Sequence, residues 1–226
     1  MQNVNDIRGE LYDLLKTQQF VTDKTGVKCI EIVNASFIAD EETIFGKLTE
    51  YVHRELAWYK STSLSVHDII APIPDIWLKV ADEHGFINSN YGWCIWSADN
   101  SNQYFHALNA LKQDKNTRRA CMIYIRPEMQ VEYNAHGMSD FMCTYNTQLL
   151  IRNNKLHYIV SMRSNDSVYG YKNDRFWHNY VHDQLLYDLK DTYPDLEKGD
   201  VYWNAASLHV YERHFDLVEA WGNRQE

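Results

Sequence analysis

The spacing of apolar positions changes along the chain, and each change predicts an element. Residues 6–18 read as a helix, while VKCIEIVNASFIA (27–39) alternates and is rich in β-branched residues, as a strand does. EETIFGKLTEYVHRELAWYKS (41–61) predicts a long helix, SADNSNQYFHALNALKQ (97–113) a second, and ACMIYIRPEM (120–129) a strand. Two strands flank RNNK (152–155). Trp177, Val181, Leu185 and Leu189 recur at every fourth position and predict a helix over about 174–190. GDVYWNAASLHVY (199–211) reads as the last strand and ERHFDLVEAWG (212–222) as the last helix. Helices and strands mix without a regular βαβ rhythm, which predicts an α+β fold around a mixed sheet. No repeat, low-complexity tract or Pro/Gly/Ser linker divides the chain, so residues 1–226 are expected to form a single domain.

Three places break the local pattern. On a wheel of about 100° per residue counted from Ile44, the positions Leu48, Tyr59, Val52, Phe45 and Leu56 span roughly 40° to 120° and Tyr51 lies near about -20°, so Glu55, at about 20°, falls inside the apolar stripe. A carboxylate there needs compensation. Either it forms an inward salt bridge, or it points into an active-site cavity with a tuned pKa. Next, a tight turn at Asn153-Asn154 pairs Arg152 with Lys155 and Ile151 with Leu156. Continued without a bulge, this ladder sets Cys143 opposite Ser164, with Arg163 beside it. An arginine near a thiol favours the thiolate, so Cys143 is a candidate nucleophile; with Arg163 turned to solvent it is a packing thiol. Finally, KNTRRACMI puts Arg118 and Arg119 just before a strand, as a phosphate grip or as a solvated turn.

Composition narrows the classes. Apolar residues make up 45%, with 16 Tyr and 7 Trp, a globular balance. The net charge of -9 leaves no basic face for direct nucleic-acid binding. The four cysteines, Cys29, Cys94, Cys121 and Cys143, have no CxxC spacing. His178 and His182 lie i, i+4 but lack the glutamate of HExxH, so no metal is expected. MQNVNDIRGE carries no apolar signal segment and no run suits a membrane span, so a cytoplasmic protein is expected.

Taken together, DKTGVK, RELAWYKS, INSNYGW, RRACMIYIRP, GMSDFMCTYNTQ, RSNDSVYGYKND and GDVYWNAASLHVY resemble the thymidylate synthase superfamily over nearly the whole chain, most closely its phage branch acting on deoxycytidylate. The resemblance implies a sandwich with a kinked mixed sheet flanked by helices, and a homodimer packed sheet to sheet with shared active sites. It implies Cys143 as nucleophile adding to carbon 6 of a pyrimidine. It further implies that Glu55 organises water and that Tyr91 stands near the thiol. By the same resemblance Arg118 and Arg119 would cross to the partner's phosphate, while Arg163, Ser164 and Lys24 would bind phosphate in the same subunit. His209 and Tyr211 would hold the sugar, and Asp166 would bind the pterin of 5,10-methylenetetrahydrofolate, the co-substrate.

Two departures from the synthase pattern set the subclass. Asp174 stands where synthases read uracil with asparagine. A protonated carboxyl donates with one oxygen and accepts with the other, which suits the ring nitrogen 3 and amino group of cytosine. Asp174 would also protonate nitrogen 3 and would have a raised pKa; alternatively it is an N-cap of the following helix. Thr144 replaces a histidine, and AWGNRQE is short and polar where synthases carry an apolar closing tail. A wetter site favours hydroxylation over hydride transfer, with Glu55 positioning the water. The implied reaction converts dCMP to 5-hydroxymethyl-dCMP, supplying modified phage DNA. Methylation of dUMP or dCMP, hydroxymethylation of dUMP, or silent nucleotide binding are the alternatives.

Overall fold

Burial alternates strictly along Lys155–Met162: Leu156, Tyr158, Val160 and Met162 are buried and their neighbours half-exposed, as expected for a strand with helices on one face only. The computed structural model describes residues 1–225. In chain order the strands are β1 (Gln2–Asn3), β2 (Val21–Thr22), β3 (Lys28–Ile38), β4 (Cys121–Ile123), β5 (Thr144–Arg152), β6 (Lys155–Met162), β7 (Asn165–Asp166) and β8 (Glu197–Tyr211). The helices are α1 (Val4–Lys16), α2 (Tyr51–Ser61), α3 (Asp75–Val80), α4 (Tyr91–Trp96), α5 (Gln103–Gln113), α6 (Met129–Glu132), α7 (Gly170–Leu189) and α8 (Phe215–Gly222). One sheet runs in the order β1-β3-β8-β6-β5-β4, with β2 joined to β3 and β7 to β8. It is mixed, as expected: β6 and β8 are parallel, while β3–β8 and β5–β6 are antiparallel.

The core is one continuous cluster between the sheet and the helices, with Trp58, Trp177, Trp203, Tyr158 and Tyr171 among its largest members. At ~25 cal/mol per Å² of apolar surface removed from water, such aromatic side chains supply much of the driving force for the fold.

Several element boundaries depart from the sequence pattern, each for a local reason. The helix expected over 41–61 begins only at Tyr51. Arg8 of α1 donates to the carbonyls of Thr43 and Ile44, which a helix would have used internally, and Gly46 turns the chain with φ of 78°. The helix expected over 97–113 is interrupted by left-handed backbone at Ser101 and Asn102, and α5 starts at Gln103. The strand expected over 120–129 keeps only three residues; Pro127 has no N–H for a ladder.

Two further corrections bear on the site. The turn at Asn153-Asn154 pairs residues as expected through Asn146–Ser161, but a bulge between Thr144 and Asn146 then shifts the ladder by one. The residue opposite Cys143 is therefore Arg163, not Ser164, and the Arg163 N–H donates to the Cys143 carbonyl at 2.9 Å. The helix expected over 174–190 begins at Gly170, so Asp174 lies within α7 and is not its N-cap.

Candidate active site

A cavity of about 940 Å³ opens beside the shared ends of β7, β8 and α7, at the large end of the range for small-molecule sites. Cys143, Ser164, Asp166, Asp174, His209 and Tyr211 line it, so six residues selected from sequence meet in one space.

Cys143 is positioned from both sides. Before it, buried Asp140 accepts the backbone N–H groups of Asn88 and Ser89 at 2.8 Å each and the Ser89 hydroxyl at 2.7 Å, anchoring the approach to β5. After it comes the bulge. The Arg163 guanidinium donates to the carbonyls of Met142 at 2.9 Å and Phe141 at 2.7 Å, which hold it 3.7 Å from the Cys143 sulfur. Burial pushes the thiol up to about 11, and Asp174 and Asp140 add to this; Arg163 pulls the other way without prevailing. One arginine does not make this thiol a thiolate at neutral pH, contrary to the expectation of a low pKa.

Glu55 is 5% exposed on the face of α2 that also buries Val52, Trp58 and Tyr59. No salt bridge compensates it among the described residues. Its partner is the Tyr51 hydroxyl, which donates at 2.8 Å while accepting the Trp77 indole N–H. Tyr51 lines the cavity and Glu55 sits behind it. Burial lifts the Glu55 carboxyl to about 7, with Tyr51 opposing.

Asp174 is half-buried against the cavity. Its carboxyl is raised well above the usual carboxylate range, first by burial and then by repulsion from Glu55, while Asn165 and nearby Tyr91 oppose. Two carboxyl groups in one apolar surround cannot both ionise cheaply, so Asp174 keeps its proton. The Asn165 amide donates to Asp174 Oδ2 at 2.8 Å. Tyr91 is buried at the start of α4, stacked on Tyr59 with centroids 5.2 Å apart, and its hydroxyl accepts from Thr144 at 3.0 Å. Asn90 caps that helix and ties it to the Trp58 and Ser63 carbonyls.

His209 and Tyr211 share a face of β8, with rings 4.9 Å apart. Ser207 bonds both the Glu31 carboxylate and His209 Nδ1, and burial lowers the His209 pKa. Asp166 accepts the N–H groups of Val168 and Tyr169 and lies 3.6 Å from Arg213. Lys24 is exposed between Asp23 and Thr25, which line the cavity. Arg118 and Arg119 are exposed outside the cavity, and neither guanidinium has a partner among the described residues. His178 and His182 are fully buried beside Tyr158, and no metal-holding cluster occurs among the described residues. Among those residues, no helix is long and apolar enough to cross a membrane.

The sequence reading missed Tyr51, Arg54, Tyr169, Lys172, Arg213 and Asn165. Only Arg213 had a signal, two residues beyond Tyr211. Asn165 sits on a two-residue strand that no periodicity marks.

This combination of a mixed sheet with a cavity-facing cysteine, a buried glutamate and a helix-borne aspartate defines a class, and the chain belongs to the thymidylate synthase family, whose model matches residues 10–226. Within that class it is 54% identical over 226 residues to the deoxycytidylate 5-hydroxymethyltransferase of Enterobacteria phage T2, covering 99% of this chain and 92% of that protein. The protein of the same name from Enterobacteria phage T4 is 54% identical over 221 residues, covering 96% and 90%. The thymidylate synthase of Bacillus atrophaeus is 27% identical over 180 residues, covering 76% and 75%. The solved structure of thermostable thymidylate synthase A from Bacillus subtilis superposes with a TM-score of 0.72 at 23% identity, covering 97% of this chain and 84% of that one.

Proposed function

We propose that residues 1–226 act as one catalytic domain that converts dCMP, 5,10-methylenetetrahydrofolate and water to 5-hydroxymethyl-dCMP and tetrahydrofolate. The observation that carries this reading is Asp174, a carboxyl held neutral inside α7 at the cavity wall. A neutral carboxyl offers one donor and one acceptor, the complement of nitrogen 3 and the amino group of cytosine.

In this reading the Cys143 sulfur bonds to carbon 6 and Asp174 gives its proton to nitrogen 3, which places electron density on carbon 5. Carbon 5 bonds to the one-carbon unit of methylenetetrahydrofolate, then loses its proton as the carbon–nitrogen bond to tetrahydrofolate breaks; the exocyclic methylene left is at the oxidation level of formaldehyde, so a hydroxymethyl product needs no hydride. Glu55, poised near neutrality, takes a proton from the water that supplies the hydroxyl, and the sulfur then leaves carbon 6. The cavity exceeds the needs of a nucleotide alone, and Ile76 and Tyr169 expose apolar surface at its wall for a flat pterin, with Asp166 adjacent. Ser164 and Lys24 serve the phosphate; His209 and Tyr211 serve the sugar.

The thiol at about 11 needs more positive charge than Arg163 gives. A homodimer packed on the half-exposed sheet face, with Arg118 and Arg119 of the partner subunit reaching the phosphate, would supply it. The test is mass spectrometry of the nucleotide after incubation with methylenetetrahydrofolate and dCMP or dUMP. Hydroxymethylated dCMP, absent with Cys143→Ala, supports the reading; turnover of dUMP alone overturns it. Phage expression in a host cytoplasm, for modified DNA precursors, is the context in keeping with this activity.

A further inference from the structure

A neutral carboxyl alone does not choose between cytosine and uracil. If the proton moves from one oxygen to the other, donor and acceptor exchange places, and the group matches the carbonyl and N–H of uracil equally well. Specificity therefore needs something that fixes which Asp174 oxygen carries the proton.

The structure holds such a device. The Trp203 indole N–H, fully buried on β8, lies 3.2 Å from Asn165 Oδ1. An indole nitrogen can only donate, so the Asn165 atom facing it must be the carbonyl oxygen. The amide nitrogen of Asn165 is thereby turned to the other side, where it donates to Asp174 Oδ2 at 2.8 Å. Asn165 is 2% exposed, so a flipped amide would bury two unsatisfied contacts, an N–H facing an N–H and an oxygen facing an oxygen. Gly170 permits the close packing: a Cβ there would lie 3.2 Å from Asn165 Nδ2 and 3.4 Å from Asp166 Cβ.

We propose that Asn165, oriented by Trp203, is a specificity-determining positioning residue that assigns Asp174 Oδ2 as acceptor and Oδ1 as the proton-bearing oxygen, and so favours cytosine over uracil. The proposal rests on Asp174 as the base reader. Cytosine then meets Oδ1–H with nitrogen 3 and Oδ2 with its amino group. Uracil would need a hydroxyl on Oδ2, against the Asn165 N–H. Tyr91 also hydrogen-bonds this carboxyl, while Asn165 holds the Oδ2 side at 2.8 Å.

The test is calorimetric binding of dCMP and dUMP to the full-length protein, which needs no turnover. Asn165→Ala is expected to lower the dCMP-to-dUMP affinity ratio about 5- to 10-fold, the worth of one hydrogen bond. Trp203→Phe keeps the ring packing and Asn165 itself but frees the amide to rotate, and is expected to lower the ratio in the same direction. It decides the question if Asn165→Ala does not fold. Equal weakening of both nucleotides, or an unchanged ratio, in the folded variants overturns the proposal. Asp174→Asn separates the two layers. If it reverses the preference while Asn165→Ala and Trp203→Phe keep the wild-type ratio, the base reader stands and the positioning role falls. If it leaves the preference unchanged, both fall.

Discussion

The backbone N–H of Arg163 donates to the Cys143 carbonyl at 2.9 Å, and the guanidinium of the same residue lies 3.7 Å from the Cys143 sulfur. One β-bulge produces both contacts, because it slides the β5–β6 ladder by one residue at its last pairs. Arg163 thus fixes the Cys143 backbone and biases the ionisation of its thiol. Replacing it with alanine is expected to raise the thiol pKa further and slow alkylation of Cys143 at pH 8. Loss of the nearby cation is expected to lower kcat by ~100-fold or more. Iodoacetamide labelling followed by peptide mass analysis reads the first effect, and steady-state kinetics the second. Labelling of Cys143 at the wild-type rate would show that Arg163 is structural only.

Glu55 gives a pH dependence whose sign is fixed by its surroundings. Burial raises its carboxyl to about 7, so the folded chain holds a proton that the unfolded chain has lost above the ordinary carboxylate range. Stability from this group is full at pH 4 and falls as pH rises from about 4.5 to 7, by about 3 kcal/mol over that interval. Glu55→Gln is expected to reduce this fall relative to wild type, by urea unfolding at pH 5 and pH 8, leaving the contribution of Asp174, whose carboxyl is raised in the same direction. The same substitution is expected to abolish the rise of kcat through pH 7, since an amide takes no proton from water.

Gly92 holds α4 against α2. A Cβ there would lie 1.7 Å from the Tyr59 carbonyl oxygen and 3.1 Å from the Trp96 ring. The clash is with backbone, which cannot swing aside, so Gly92→Ala is expected to cost at least about 3 kcal/mol and to displace Tyr91 from Thr144. Thermal melting of the variant checks the cost. A melting temperature within 2–3 °C of wild type, well below the ~6–12 °C that about 3 kcal/mol gives in a chain of this size, would contradict the close contact.

Much of this was legible in the sequence, for identifiable reasons. The clean alternation of β6, that of β8 over Val201–Ala205, and the four-residue repeat of Trp177, Val181, Leu185 and Leu189 marked the sheet and α7. Glu55 announced itself by breaking an apolar face, and it is buried although the helix begins ten residues later than the pattern implied. What stayed hidden depends on contacts distant in sequence. Arg8 unwinds residues 43–44 from across the fold. The bulge that brings Arg163 to Cys143 leaves no periodic trace. Asn165 matters only because Trp203 lies on one side of it and Asp174 on the other. The start of α7 at Gly170 could not be read from an apolar repeat beginning at Trp177, and it removes the capping role for Asp174.

The central claim is that water, not hydride, completes the one-carbon transfer. The most direct measurement is turnover of dCMP with methylenetetrahydrofolate in oxygen-18-labelled water, with mass analysis of both nucleotide and folate. The account expects 5-hydroxymethyl-dCMP carrying one labelled oxygen, together with tetrahydrofolate. A methylated nucleotide without label, formed together with dihydrofolate, would contradict it.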